Sequence, residues 1–115
     1  MNAVVLKPYR RPYSDAIVVK AGDTLHPDFA KHTDIDGWVW CTAEDGHSGW
    51  TPRGWMQRAG EVWRITRDFN ALELTIQPGE ILDIVLKQSG FYWARKSTGG
   101  TGWVPCLNVG IARTV

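Results

Sequence analysis

The sequence predicts an all-β chain that contains two copies of one small five-stranded unit. Two β-hairpin patterns, at 37–52 and 90–105, support this prediction because alternating apolar residues flank a Gly-containing turn in each. The two patterns end alike, in Gly-Trp-Thr-Pro at 49–52 and Gly-Trp-Val-Pro at 102–105. No segment has the apolar spacing that is typical of a helix. A tandem repeat with a period of roughly fifty-five residues follows, so each half is a small domain.

The first hairpin has two faces of different character. Successive side chains alternate between the faces of a sheet, so Trp38 and Trp40 share one face and Val39 and Cys41 share the other. The small apolar pair predicts the core face. Both tryptophans are therefore expected to point outward, where a ligand platform is one explanation for exposed indole rings.

Apolar runs, Gly turns and Pro residues predict the order of elements in the first half. The loop before the hairpin carries an insertion relative to the second half. The predicted elements are a strand at 4–6, a long polar loop at 9–15, a strand at 16–19, a Gly turn at 21–23, a strand from 24, the inserted loop at 27–36, the hairpin and a single 3₁₀ turn at 53–56.

A polar, Gly-containing connector at 57–61 is the predicted boundary between the halves. The predicted domains are 1–57, with longer first and middle loops, and 58–115, with a short first loop. No long flexible linker separates them, so we expect the halves to pack together as one rigid unit. Strands of the second half are predicted at 61–66, 72–77 and 81–86, before the second hairpin.

Charge and cysteine content exclude several classes of protein. The formal net charge is +1, without a cluster of Lys and Arg, so no nucleic-acid partner is expected. Cys41 and Cys106 occupy non-equivalent places in the two repeats, which argues against a repeated disulfide framework. We expect Cys41 to be buried and reduced. The first residues lack a basic lead and a long apolar run, so we expect no signal peptide, no membrane association and a cytoplasmic location.

Catalytic and metal sites find little support in the sequence. Cys41 is the candidate nucleophile, with His47 in the turn of the same hairpin, but strand alternation buries the thiol away from that turn. Five potential metal ligands lie near the inserted loop, in a spacing that matches no defined site. We therefore expect no enzyme, no cofactor and no metal. The five are His26, Asp28, His32, Asp34 and Asp36.

The second half resembles the Src homology 3 (SH3) barrel. Its segment 67–74, Arg-Asp-Phe-Asn-Ala-Leu-Glu-Leu, is similar to the family's ALYDY-to-ELSF region, and Gly-Glu at 79–80 is similar to the diverging turn. Gly-Trp-Val-Pro at 102–105 is similar to the G-[FYW]-[IV]-P signature. In the first half, 5–9 stands where ALYDY would be and keeps only the last Tyr. The resemblance is to divergent bacterial members, and it implies two tandem five-stranded SH3-like barrels packed together.

The resemblance also implies a peptide groove in the first half. Members of this family bind extended peptides by packing a polyproline helix against flat aromatic rings. Trp40 is included among the expected ligand-binding residues because it shares a strand face with Trp38. The expected ligand-binding residues are Tyr9, Tyr13, Trp38, Trp40, Pro52 and Trp55.

When the groove positions of the family are placed on the second half, the resemblance implies a degraded groove. A basic residue replaces the first tyrosine of the motif, and an asparagine replaces the aromatic residue of the 3₁₀ turn. We expect this half to have a packing role. The positions are Arg67 and Phe69, Phe91 or Tyr92, Pro105 and Asn108.

Three hypotheses for function remain open. The first is a non-catalytic interaction module that binds an extended segment of a protein partner through the groove of the first domain. The second is an aromatic cage for a cationic group, built from Tyr9, Trp38, Trp40 and Trp55 with Asp34 or Asp36 as the acid. The third is a purely structural or assembly module without a free ligand. The chain is expected to be a monomer or a weak homodimer.

Overall fold

The computed structural model describes residues 1–12, 16–33 and 35–111. Within these ranges the chain is all-β, with short 3₁₀ turns at Arg53–Trp55, as expected, and at Cys106–Asn108. No helix in the described chain combines the length and the apolar character needed to cross a bilayer. The strands are β1 (Asn2–Val5), β2 (Val18–Val19), β3 (Thr24–Asp28), β4 (Trp38–Ala43), β5 (Ser48–Pro52), β6 (Met56–Ala59), β7 (Val62–Ile65), β8 (Phe69–Asn70), β9 (Ile81–Gln88), β10 (Phe91–Lys96), β11 (Thr101–Pro105) and β12 (Val109–Ile111).

These strands form three sheets. One five-stranded sheet has the order β11-β10-β9-β1-β12, the other has the order β5-β4-β3-β7-β6, and β2 pairs with β8 in a separate two-stranded ladder. Both predicted hairpins are confirmed, as β4–β5 and β10–β11. Among the described residues, neither five-stranded sheet closes on itself, because its two end strands do not pair with each other.

The chain divides into two compact units at places other than the predicted boundary. Unit 1 consists of Met1–Ser14 and Leu72–Val115, and unit 2 consists of Asp15–Ala71. These bounds differ from the predicted division into 1–57 and 58–115. The segment placed at the boundary instead forms the tight turn of the β6–β7 hairpin, in which Gly60 has a φ of 67°. A hairpin turn and a linker share the same polar, Gly-containing composition, so composition alone did not separate them.

In each unit, one strand of the five-stranded sheet lies between the strand that precedes the tryptophan hairpin and the strand that follows the 3₁₀ turn. In unit 1, β1 lies between β9 and β12, so that Ala3 pairs with both Leu82 and Ile111. In unit 2, β7 lies between β3 and β6, so that Trp63 pairs with both Leu25 and Arg58. The two five-stranded sheets therefore have the same arrangement of strands relative to the hairpin and the 3₁₀ turn.

The core of unit 1 lies between its sheet and the segment that precedes β9. The predicted strand at 72–77 is wrong in detail, because this segment makes only isolated bridges, from Ile76 to Tyr9 and from Glu73 to Trp103. Its apolar residues still face inward, as alternation predicts. The buried cluster is Ala3, Val5, Leu74, Ile76, Leu82, Ala94, Val104 and Val109.

The inner face of the unit 2 sheet confirms the alternation argument for β4. Val39 and Cys41 are both buried, and the Cys41 Sγ lies 3.9 Å from the Sδ of Met56. Burial raises the pKa of the Cys41 thiol to about 11, an effect that the Thr51 hydroxyl opposes in part. Cys41 and Cys106 are both free cysteines, so the expectation of a buried, reduced Cys41 is confirmed. A thiol with this pKa carries almost no thiolate at neutral pH, which makes it a packing residue.

Candidate functional site

The predicted groove residues do not belong to one unit. Tyr9 is part of unit 1, whereas Trp38, Trp40, Pro52 and Trp55 are part of unit 2. Tyr13, like Asp34 of the cage hypothesis, lies outside the described residues.

Tyr9 is half-buried and engaged within unit 1. Its backbone exchanges two hydrogen bonds with Ile76, and its hydroxyl donates to the Oε1 of Glu73 at 2.5 Å. Burial raises the pKa of Glu73, and the hydrogen bond from Tyr9 lowers it in part. These contacts give Tyr9 a structural role at the base of the first loop.

Two predicted groove residues are buried, so the expectation that they line an open groove is wrong. Trp38 pairs with Pro52 across the β4–β5 hairpin, on the face opposite to Val39. Nevertheless, Trp38 is only 7% exposed, and the side chain of Pro52 is fully buried. Alternation gave the correct face for Trp38 but not its exposure, because the face of a strand does not reveal what packs on it.

Three aromatic pairs of unit 2 concern the candidate site, and Trp40 forms the first of them. It lies opposite Trp50, and the two rings meet edge to face with centroids 5.2 Å apart and an interplanar angle of 76°. Both rings are half-buried. The ammonium group of Lys31 lies 4.7 Å from the centroid of the Trp40 ring. This cation–π contact places a positive charge over a ring that was predicted to meet the ligand.

The second aromatic pair joins the loop after β3 to β7. Phe29 is 51% exposed and meets the Trp63 ring edge to face at 5.5 Å. An Asx turn holds this loop, since the Oδ1 of Asp28 accepts a hydrogen bond from the backbone N–H of Ala30. The guanidinium of Arg53 lies 5.6 Å from the Phe29 centroid. Sequence reasoning missed this pair, and the only local signal for it was an exposed aromatic residue inside a turn.

The third aromatic pair connects the 3₁₀ turn to β8. Trp55 meets Phe69 edge to face at 5.5 Å, and the Arg67 guanidinium lies 4.0 Å from the Trp55 centroid. Arg67 and Phe69 were expected to belong to a degraded groove of the second half. They lie in unit 2 instead, since unit 2 extends to Ala71.

The three aromatic pairs and their cations form one stretch of unit 2, which we call the aromatic–cation surface. Phe29 shares a turn with Lys31, which lies over Trp40, so this turn links the second pair to the first. Arg53 and Trp55 share the 3₁₀ turn, so the contact between Arg53 and Phe29 links the second pair to the third. The surface consists of Phe29, Lys31, Trp40, Trp50, Arg53, Trp55, Trp63 and Arg67, and the buried Phe69 packs against Trp55.

The other expected groove positions of the second half have structural surroundings in unit 1. Asn108 donates hydrogen bonds from its Nδ2 to the carbonyls of Lys7 and Pro8, which ties the second 3₁₀ turn to the segment after β1. Phe91 pairs with Pro105 across the β10–β11 hairpin, and Tyr92 packs against the core cluster of unit 1.

A second concave feature of unit 2 lies beside the Gly22 turn, with a volume of about 390 Å³. Its charged lining groups are engaged within the chain. The Oδ2 of Asp23 accepts from the Lys20 N–H, Glu44 pairs with His26 at 2.7 Å, and the Arg64 guanidinium donates to the Gly22 carbonyl. This cavity therefore presents few unsatisfied groups to a ligand.

The candidate nucleophile and the candidate metal ligands do not form a reactive centre in the described structure. Cys41 packs on Met56, whereas the Nδ1 of His47 lies 3.2 Å from a carboxylate oxygen of Asp45. The backbone N–H of His47 donates to the same carboxylate and is the main cause of its lowered pKa. Within the described ranges, no three His, Cys, Asp or Glu side chains are grouped so that they could hold a metal ion.

Comparison with known proteins does not assign the chain to a family. No family model, curated protein or solved structure matches it.

Proposed function

We propose that this protein is a non-catalytic interaction module that binds an extended segment of a protein partner on the aromatic–cation surface of unit 2. The observation that carries the proposal is the Phe29–Trp63 pair, in which half of a large apolar ring is exposed in a turn held by hydrogen bonds. Aromatic rings that are already ordered bind apolar segments at a low entropic cost. The Trp40 and Trp55 pairs extend the surface on either side.

We further propose that both units are SH3-like, as the sequence motifs imply. Two features support this relationship. The five-stranded sheets have the same arrangement of strands relative to the hairpin, and in each unit the Gly-Trp-x-Pro strand leads into a 3₁₀ turn. The peptide site nevertheless differs from the expected groove, because Trp38 and Pro52 are buried. A cytoplasmic location remains a prediction from the sequence.

The aromatic cage for a cationic ligand is less favourable than the peptide site. Its members Trp40 and Trp55 each carry a cation of the chain itself, from Lys31 and Arg67. An external cation would have to displace these groups before it reached the ring faces.

The proposal can be tested by selecting binders from a displayed library of random linear peptides with the full-length chain. The affinity of a selected peptide is then compared between the wild type and Phe29→Ala. We expect micromolar binding or weaker, as is typical of a small open site, and a loss of about tenfold or more in the variant. Because Phe29 is half exposed, the substitution should leave the melting temperature nearly unchanged.

Leu107→Ala is the matched control. Leu107 is 86% exposed and lies in the 3₁₀ turn Cys106–Asn108 of unit 1, so this variant also removes an exposed apolar side chain. It should bind the selected peptide like the wild type. Failure to enrich any peptide would favour a purely structural module, and equal binding by wild type and Phe29→Ala would show that the peptide does not bind on this surface.

A further inference from the structure

We infer that the segment recognised by the aromatic–cation surface is acidic; this inference rests on the proposed function. The inference is based on the contacts that three basic side chains make. Lys31, Arg53 and Arg67 each lie over an aromatic ring, and none of them forms an ion pair within the described part of the chain. The ion pairs present there use other cations, for example Lys96 with Glu80 at 3.3 Å.

The ring contacts restrict the positions of these cations before a ligand binds. A guanidinium group on an aromatic face keeps the N–H donors at its edge, and these match the two oxygens of a carboxylate. The Arg67 guanidinium, 4.0 Å from the Trp55 centroid, is the closest example. Because the ring restricts the cation before binding, less side-chain entropy is lost when a carboxylate arrives.

The carboxylates of Asp28 and Asp68, which are close in sequence to Lys31 and Arg67, accept hydrogen bonds from the backbone. Asp28 accepts a hydrogen bond from the N–H of Ala30, and Asp68 accepts one from the N–H of Ala21. Each bond uses one oxygen of the carboxylate, and among the described residues neither acid forms an ion pair with the three cations. A carboxylate of the partner is therefore the group that complements the three cations.

The same observations favour an acidic peptide over a nucleic acid. Single-stranded nucleic acids require open ring faces for base stacking and a dense positive field for the phosphates. Here the rings of Trp40 and Trp55 already carry cations, and the formal net charge is only +1. A short segment with a few carboxylates between apolar residues fits such a surface better.

The test uses the peptides selected from the random library. We expect them to be enriched in Asp and Glu, and we expect a version with these residues replaced by Asn and Gln to bind about tenfold more weakly. Each of Lys31→Gln, Arg53→Gln and Arg67→Gln should weaken binding of the acidic peptide about two- to fivefold, and the triple variant about tenfold or more. Binding should also weaken as the salt concentration rises.

Arg95→Gln is the matched charge control, because Arg95 is an exposed residue of β10 in unit 1. It should leave binding unchanged, whereas Arg53→Lys and Arg67→Lys should keep only part of it, because an ammonium group retains the charge but not the paired N–H donors of a guanidinium group. Selected peptides without acidic residues, or binding that is insensitive to the triple variant, would overturn the inference while leaving the interaction module intact. Tighter binding of an oligothymidylate than of the acidic peptide, lost in the triple variant, would show a nucleic-acid surface instead. An absence of any selected peptide would overturn the proposed function itself.

Discussion

The two tryptophan pairs of the hairpins show how one motif takes two roles. Trp93 and Trp103 in unit 1 meet edge to face at 5.3 Å, much as Trp40 and Trp50 do in unit 2 at 5.2 Å. Yet Trp103 is only 3% exposed, whereas Trp50 is half-buried. The hairpin thus fixes how two rings contact each other, and the surrounding chain decides how much of them remains exposed.

The outer edges of the two hairpins differ in their hydrogen bonds. In unit 1, the N–H of Trp103 donates to the Leu72 carbonyl, and the Leu74 N–H donates to the Trp103 carbonyl. In unit 2, Ile17 contacts the corresponding edge through its side chain, close to Gly49, and no equivalent pair of backbone bonds is present among the described residues. The edge of β11 is therefore held by the backbone, whereas packing of side chains is the contact seen at β5.

The largest expected effect tests which strands complete the two five-stranded sheets. A fragment of residues 1–57 lacks β7, and a fragment of residues 58–115 lacks β1, so each loses the strand that joins the two sides of its sheet. We expect both fragments to be unfolded by circular dichroism and NMR. A fragment of residues 15–71 contains all strands of unit 2 and should fold. Native-like spectra from the 1–57 fragment would contradict the strand assignment.

The next prediction compares how much Trp103 and Trp50, one from each tryptophan pair, contribute to the free energy of unfolding. Trp103→Ala should lower the free energy of unfolding by about 3–5 kcal/mol, because it removes a large buried side chain. Trp50→Ala should cost less, about 1–2 kcal/mol, since its ring is partly solvated in the native state. Chemical denaturation of both variants measures the difference. Equal losses would show that Trp50 is as much a core residue as Trp103.

The equivalent glycines before these tryptophans sharpen the same comparison. A Cβ at Gly102 would lie 2.8 Å from the Leu72 carbonyl oxygen, which is fixed by its hydrogen bond with Trp103. A Cβ at Gly49 would lie 2.9 Å from a methyl group of Ile17, and a side chain can shift more easily than a bonded carbonyl. We expect Gly102→Ala to cost about 3 kcal/mol and Gly49→Ala about 1 kcal/mol in urea unfolding. The reverse order would argue that the β5 edge is the more rigid one.

The smallest effect concerns the pH dependence of unit 1. Burial raises the pKa of Glu73 above its ordinary value of 4.5, so its charged form is less favourable in the folded than in the unfolded state. Its contribution to stability is therefore greatest below pH 4.5 and declines as the pH rises through the higher folded-state value. Glu73→Gln keeps an acceptor for the Tyr9 hydroxyl and removes this decline. The variant should gain stability relative to the wild type between acidic and neutral pH, as measured by thermal melts; a constant difference would contradict this.

Local patterns of the sequence determined both hairpins, the 3₁₀ turn at Arg53–Trp55 and the inward orientation of Val39 and Cys41. These features depend on alternation and on Gly or Pro residues within a few positions, so they can be predicted without tertiary contacts. Trp40 of the candidate site was predicted for the same reason, from its outward strand position, whereas Trp55 was predicted from the resemblance to the SH3 family.

Only the tertiary structure decided that β1 belongs to the sheet of unit 1 and β7 to the sheet of unit 2. The two strands have similar short apolar patterns, and strand pairing joins residues far apart in sequence. It also decided that Trp38 is buried and that Phe29 is exposed beside Trp63, since alternation specifies a face but not the residues that cover it. The cations over the aromatic rings follow from the same long-range packing: Arg53 reaches a ring that lies in a different loop of unit 2, which no local pattern encodes.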